Sequence, residues 1–260
     1  MSLSTLFPHP AATSVWPEAR PLHIGDGDIG VVMSHGFTGS VASIRPWAEA
    51  LATPADEYPG ARVVAPRLPG HGTSWQDMAR TRWWDWFGAL EDAYLELAAQ
   101  HKTVFVAGLS MGGALALHLA ARHTVAGVLL VNPAVATRDW RIKAASKVRS
   151  FVPAQNGIAS DIALPGAVEP AYPKFSVTSL GTMTDLWREA RAGLRRIDAP
   201  VLLMRSPLDH VVDDLSAEII RREIRDVRFA SLDRSYHVAT LDYDADVIVA
   251  ESRRFISAVH

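Results

Sequence analysis

Apolar residues in this chain arrive in short unbroken runs separated by stretches of helical periodicity. "GVVMSH" (Gly30 to His35), "RVVAP" (Arg62 to Pro66), "TVFVAG" (Thr103 to Gly108), "GVLLVN" (Gly127 to Asn132) and "PVLLM" (Pro200 to Met204) read as strands, with "VRFASL" (Val227 to Leu232) as a sixth candidate. Their Val/Leu runs do not alternate with polar residues, the mark of parallel strands covered on both faces. Amphipathic periods predict helices over about Ile44 to Ala52, Trp83 to Gln100, Met111 to His123, Leu215 to Ile224 and Ala245 to Val259. Strand and helix in alternation predict an α/β fold with a mainly parallel central sheet flanked by helices.

The rhythm fails between residues 134 and 193, where prolines (Pro153, Pro165, Pro170, Pro173) interrupt mixed amphipathic pieces. The expected organisation is an N-terminal extension (1–28), an α/β core (29–133 and 194–260) and an inserted cap or lid (134–193). A long insertion is usually functional, with a surface excursion as the plainer alternative. It should lie over the carboxyl ends of the strands, where open α/β sheets bind ligands.

Composition narrows the chemistry. The 260 residues fit one large domain carrying an insertion, and nearly half of them are hydrophobic, enough for a sizeable core. A net charge of −2 without a Lys/Arg run argues against nucleic acid. There is no cysteine, which excludes disulfides, thiolate nucleophiles and Cys-bound metals. No zinc-type histidine spacing, phosphate loop or dinucleotide fingerprint occurs, so no cofactor and no metal are implied. No stretch is apolar enough to span a membrane, and no signal peptide is visible. The expectation is a soluble cytoplasmic protein with at most transient contact with a membrane surface.

The sharpest chemical signal is "VFVAGLSMGGALALHLA". Gly108-Leu109-Ser110-Met111-Gly112 fits G-x-S-x-G, between a strand pattern and an Ala/Leu-rich helix, the setting of a nucleophile elbow. A Ser that merely caps a helix is the bland alternative. Acyl transfer also needs two N–H donors for the developing oxyanion. Met111, directly after Ser110, is one candidate. Phe37, in the "HGFTGS" loop after the first strand, is the other.

An acid and then a base should follow Ser110 in chain order. His237 in "SLDRSYHVATLDYD" is the candidate base, and Asp209, first after "PVLLM", the candidate acid. Asp213 and Asp214 precede a helix and are expected to cap it, as are Asp242 and Asp244 for the last helix. His35 and His71 flank glycine turns and are expected to be structural. The aromatic cluster "TRWWDWFGALEDAYLEL" has helical spacing and is expected to pack against the sheet.

In order along the chain, "HGFTGS", "PRLPGHGT", "GLSMGG", "LDHVV" and "SYHVATLDYD" make it similar to the bacterial monoacylglycerol lipases and related carboxylesterases of the α/β-hydrolase superfamily. The resemblance covers about Gly30 to the C-terminus. It implies Ser110, Asp209 and His237 as a catalytic triad, Phe37 and Met111 as oxyanion donors, and a small cap over an acyl-chain pocket. It also implies that Glu169 in "VEPAY" contacts glycerol hydroxyls and that Ile158 lines the pocket. Pro170 and Pro173 depart from the family pattern in the cap. The expected activity is hydrolysis of carboxylic esters through an acyl-enzyme, on monoacylglycerols or short- to medium-chain esters. A thioesterase or amidase on the same scaffold, or a non-catalytic acyl-ligand receptor, are the competing readings.

Overall fold

The computed structural model describes residues 14–139, 142, 155–156 and 160–260. In chain order its strands are β1 (Leu22–Ile24), β2 (Ile29–Ser34), β3 (Ala61–Ala65), β4 (Thr103–Leu109), β5 (Gly127–Val131), β6 (Gln155–Asn156), β7 (Lys174–Phe175), β8 (Val201–Arg205) and β9 (Val227–Ser231). The helices are α1 (Arg45–Ala52), α2 (Trp75–Met78), α3 (Trp83–Ala98), α4 (Met111–Ala120), α5 (Val177–Gly193), α6 (Leu215–Glu223) and α7 (Ala245–Val259).

Seven strands form one sheet in the order β1-β3-β2-β4-β5-β8-β9, and β6 pairs with β7 as a separate two-residue ribbon. Every pairing in the large sheet is parallel except β1 with β3. The absence of alternation in the sequence has a direct cause. Side chains one residue apart on a strand point to opposite faces, and both faces are covered. Val32, Val106, Leu130 and Leu203 enter a core shared with α3, α4, α5 and α6. Their neighbours Met33, Ala107, Leu129 and Met204 enter a second core shared with α1 and α7.

Register places the site. Ser34 pairs with Gly108, Leu109 with Val131, and Val131 with Met204, so β2, β4, β5 and β8 finish along one edge. The residues that follow, including His35, Ser110, Asn132 and Ser206, leave the sheet side by side.

Several elements were hidden from the hydrophobic pattern: the short α2, β6 and β7, and two that matter more to the fold, β1 and α5. Strand β1 is three residues long and reverses direction against β3. Helix α5 runs for 17 residues inside the segment where the pattern broke down; Ser176 caps it, and Leu186 and Ala190 are fully buried. In the aromatic cluster, Trp86 and Phe87 are buried as expected, whereas Trp84 is 55% exposed.

The loop after β2 is held from below by a buried histidine pair. His35 Nδ1 donates to the Gly36 carbonyl at 3.0 Å, and its Nε2 accepts the Leu68 N–H at 3.3 Å. The ring centroids of His35 and His71 lie 5.1 Å apart. Burial depresses the pKa of His35 to about 4, Arg67 adds to the depression, and the bond to Gly36 opposes it. Burial likewise lowers His71 well below its ordinary value. Both rings are therefore neutral at pH 7, and the expected structural role holds.

The sign of the pH effect follows from linkage. The folded state resists protonating His35, so its stabilisation is complete above the unfolded pKa near 6.5 and is lost as pH falls toward 4. Urea unfolding at pH 7 and pH 4.5 should show a loss of about 2 to 3 kcal/mol from this group. The loss should be smaller in His35→Gln; an equal loss in both proteins would contradict this account.

Candidate active site

The turn from β4 into α4 is dictated by sterics. A Cβ on Gly108 would sit 2.2 Å from the Gly112 carbonyl oxygen, and a Cβ on Gly112 would sit 2.2 Å from that of Ser34. Neither position can carry a side chain while strand and helix approach so closely. Between them Ser110 adopts φ 57° and ψ −118°, a strained conformation for a residue with a Cβ. Its N–H donates to the Val131 carbonyl at 3.0 Å, and its own carbonyl accepts from Ala134 at 3.1 Å. The strained peptide is thus fastened to β5 and the segment after it.

Ser110 Oγ lies 2.9 Å from His237 Nε2, and His237 Nδ1 lies 2.8 Å from Asp209 Oδ2. A carboxylate only accepts, so Nδ1 carries the ring proton and Nε2 is left to accept from the serine hydroxyl. The Asp209 side chain has no solvent exposure. Burial pushes its pKa up, but the charge and hydrogen bond of His237, the Val212 N–H and Arg205 outweigh burial and leave it below the usual carboxylate range. Asp209 Oδ1 takes the N–H groups of Val211 and Val212, both at 2.8 Å, while Oδ2 also takes Arg205 Nη1 at 2.7 Å. Asp209 therefore stands as an anion behind the imidazole.

Residues that no motif announced hold these groups in place. Arg205 is buried at the end of β8 and donates to the carbonyls of Ser206 at 2.6 Å and Val212 at 2.5 Å as well as to Asp209. Asn132 (φ 44°) donates to the His237 carbonyl at 2.8 Å and to Ser206 Oγ at 3.0 Å. Its amide oxygen accepts Ser206 N–H at 2.8 Å. Polar residues at strand ends are common, and only the assembled fold shows what these two bind.

Of the local aspartates, Asp213 keeps the expected role at a helix start and the others depart from it. Asp214 occupies the N-cap position of α6 without a side-chain cap bond and instead meets Arg205 Nη2 at 3.3 Å. Asp213 Oδ1 does accept Leu215 N–H at 2.9 Å, and its Oδ2 accepts Arg138 N–H at 2.6 Å. Asp242 and Asp244 do not cap α7. Asp242 is buried and accepts four backbone N–H groups, from Ala163, Leu164, Tyr236 and Tyr243, at 2.7 to 2.9 Å. Asp244 accepts Arg234 N–H at 2.8 Å and Arg234 Nε at 3.1 Å. The loop N–H groups around the histidine segment are left without strand or helix partners and require acceptors, and that demand claims both carboxylates.

Ser110 and His237 open into a cavity of about 290 Å³. Phe37, Phe175, Leu180, Met183, Trp187 and Val212 make much of its wall apolar, with Glu169, Asp161 and Asp139 as acidic members. Glu169 Oε1 accepts from Ser43 Oγ at 2.5 Å. Burial raises its pKa, against the opposing influence of the Ser43 hydroxyl and His237. Phe37 lines the cavity at the end of the loop braced by His35. Met111 is the first residue of α4, so its N–H is among those a helix leaves without an internal partner. Ile158 lies outside the described residues. Among the described residues no group of three or more His, Asp or Glu is placed to hold a metal, and no helix is long and apolar enough to cross a membrane.

A family model described as the alpha/beta hydrolase family matches residues 31–251. The chain is 40% identical over 243 residues to a thermostable monoacylglycerol lipase from Bacillus sp. (strain H-257), covering 92% of this chain and 94% of that one. It is 26% identical to a carboxylesterase from Bacillus subtilis (strain 168), covering 91% and 96%. Among solved structures, a metagenome-derived lipolytic enzyme superposes with a TM-score of 0.89 at 35% identity, covering 94% of this chain and 100% of that one. A soluble variant of the monoglyceride lipase from Saccharomyces cerevisiae superposes at 0.74 with 15% identity, covering 97% and 98%, a likeness of fold.

Asp242→Ala should leave four backbone N–H groups without their buried acceptor and lower the unfolding free energy by about 3 kcal/mol. Urea unfolding measures it. A loss of about 1 kcal/mol or less, the size of a missing helix cap, would contradict the stapling role.

Proposed function

The chain belongs to the alpha/beta hydrolase family, and from that premise we propose that it hydrolyses carboxylic esters through an acyl-enzyme formed on Ser110. The observation that carries this reading is the unbroken line Ser110 Oγ, His237 and buried Asp209, opening into a largely apolar cavity. His237 Nε2 takes the hydroxyl proton as Ser110 Oγ bonds to the ester carbonyl carbon. The carbonyl oxygen becomes an oxyanion and receives the N–H groups of Phe37 and Met111. The C–O bond then breaks, and His237 returns the proton to the departing alcohol. Water enters, gives its proton to His237 and attacks the acyl carbon. Collapse of the second oxyanion frees the acid and restores Ser110. Asp209 keeps the imidazole in the required tautomer and balances its positive charge during each transfer.

The preferred substrates in this proposal are uncharged esters of modest size, such as monoacylglycerols or short- to medium-chain esters. The acyl chain lies against Leu180, Met183 and Trp187, which α5 contributes to the cavity wall. Residues 134–193 then serve as the cap. Glu169 faces the alcohol portion of the ester, and its carboxylate accepts from the spare glycerol hydroxyls. Names of the relatives favour an oxygen ester over a thioester or amide. Contact with a lipid surface would be transient.

A fluorophosphonate probe and a p-nitrophenyl ester test the chemistry. Ser110→Ala should lose labelling and at least about four orders of magnitude in kcat. A well-folded parent protein that neither labels nor turns over would remove the enzymatic reading. Glu169→Ala should lower kcat/KM on a monoacylglycerol by about tenfold or more while sparing the matched methyl ester. Equal losses on the two substrates would remove Glu169 from alcohol recognition.

A further inference from the structure

Asp161 belongs to none of the motifs, yet its carboxylate touches both loops that must meet for the triad to form. Oδ2 accepts the backbone N–H of His237 at 3.1 Å and that of His210, also at 3.1 Å. Oδ1 accepts from His210 Nδ1 at 2.9 Å. The Asp161 carbonyl takes the Val238 N–H at 3.0 Å. His210 directly follows Asp209, so a single carboxylate grips the residue after the acid and the peptide of the base.

The grip is built into the local backbone. Ser160 sits at φ 54°, in the left-handed region that a serine seldom adopts. Its carbonyl accepts Ile162 N–H at 2.9 Å, closing a three-residue turn with Asp161 at the corner. Ser160 Oγ accepts Glu169 N–H at 2.9 Å and donates to the Glu169 carbonyl at 3.3 Å. The Asp161 side chain is only 10% exposed, and the residue lines the cavity beside His237. From the opposite side Asn132 holds the His237 carbonyl at 2.8 Å. The His237 peptide is thus gripped at both its N–H and its C=O, once from the segment before β8 and once from the end of β5.

We propose that Asp161 is a positioning residue for catalysis: by bridging the His210 and His237 backbones it sets the approach of Asp209 to His237. The inference rests on the serine-hydrolase reading above. It follows from the geometry that a bridging carboxylate tolerates little slack. A displacement of about 1 Å in a catalytic group can cost about a hundredfold in rate, whereas substrate binding by the apolar wall is untouched. The imidazole of His210 is a second ligand of Asp161 and dispensable, because its backbone N–H makes the bridge.

The test compares Asp161→Ala, Asp161→Asn and His210→Ala with the parent, using the rate and final extent of fluorophosphonate labelling together with kcat and KM on a neutral p-nitrophenyl ester. Asp161→Ala should label to the parent's final extent but about 10- to 100-fold more slowly, with kcat reduced to match and KM within about threefold. Asp161→Asn retains an oxygen that can accept both N–H groups and should recover much of the lost rate. His210→Ala should stay within about threefold of the parent. Parent-like labelling rates in both Asp161 variants would overturn the proposal. A reduced final extent with an unchanged rate in the labelled fraction would also overturn it, since that is loss of folded protein. Should Asp161→Ala fail to fold, Asp161→Ser takes its place: its shorter side chain cannot reach both N–H groups, so kcat and labelling rate both lowered at constant KM support the proposal, and parent-like values overturn it. A parent protein that does not label at all would instead remove the serine-hydrolase reading on which the inference stands.

Discussion

One buried negative charge organises this molecule. Asp209 has no solvent to stabilise it, so protein groups must do so, and each imposes a position on something else. Arg205 has to be buried beside it at the end of β8, which obliges the Ser206 and Val212 carbonyls to turn inward. The loop after Asp209 must present the Val211 and Val212 N–H groups. His237 then takes the remaining face of the carboxylate, which directs Nε2 toward Ser110. Removing a single partner of such a charge typically costs 3–5 kcal/mol, so the arrangement is held as a unit.

The other half of the site is steric. Strand β4 and helix α4 come so close that only glycine fits at 108 and 112. The residue between them is driven into a conformation that costs about 1–3 kcal/mol and leaves its hydroxyl facing His237. Sheet register does the remaining alignment, since β2, β4, β5 and β8 end on one edge and release their loops toward a common point. The neutral His35 braces the loop that carries Phe37, so Phe37 and Ser110, from distant segments, share one cavity.

Much of this was legible in the sequence, for specific physical reasons. A strand buried on both faces has no choice but to be continuously apolar, and the parallel strands at the sheet's centre were readable on that basis. Ser110, His237 and Asp209 were readable because tight turns and fixed chain order leave them few alternatives. Helix α5 was not, because its Thr, Gly and Asp residues dilute the apolar stripe that packs against α4. Strand β1 is too short to display a period. The roles of Arg205, Asn132, Asp161 and Asp242 were invisible for a different reason. Asn132, Asp161 and Asp242 satisfy backbone groups from segments remote in sequence, Arg205 ties together the loop that follows it, and a lone polar residue carries no sign of the partners the fold will bring to it. Asp242 and Asp244, so close to His237 along the chain, serve the histidine loop's backbone rather than its ring.

The central claim is that Asp209, and no other carboxylate, accepts the Nδ1 proton of His237. A one-dimensional proton spectrum in water measures that bond directly, because a proton held between an imidazole and a buried carboxylate resonates downfield of the amide envelope. The account predicts such a resonance in the parent, its survival in Ser110→Ala, and its loss in both His237→Gln and Asp209→Asn. A resonance that persists in Asp209→Asn and vanishes in Asp213→Asn or Asp242→Asn would contradict it.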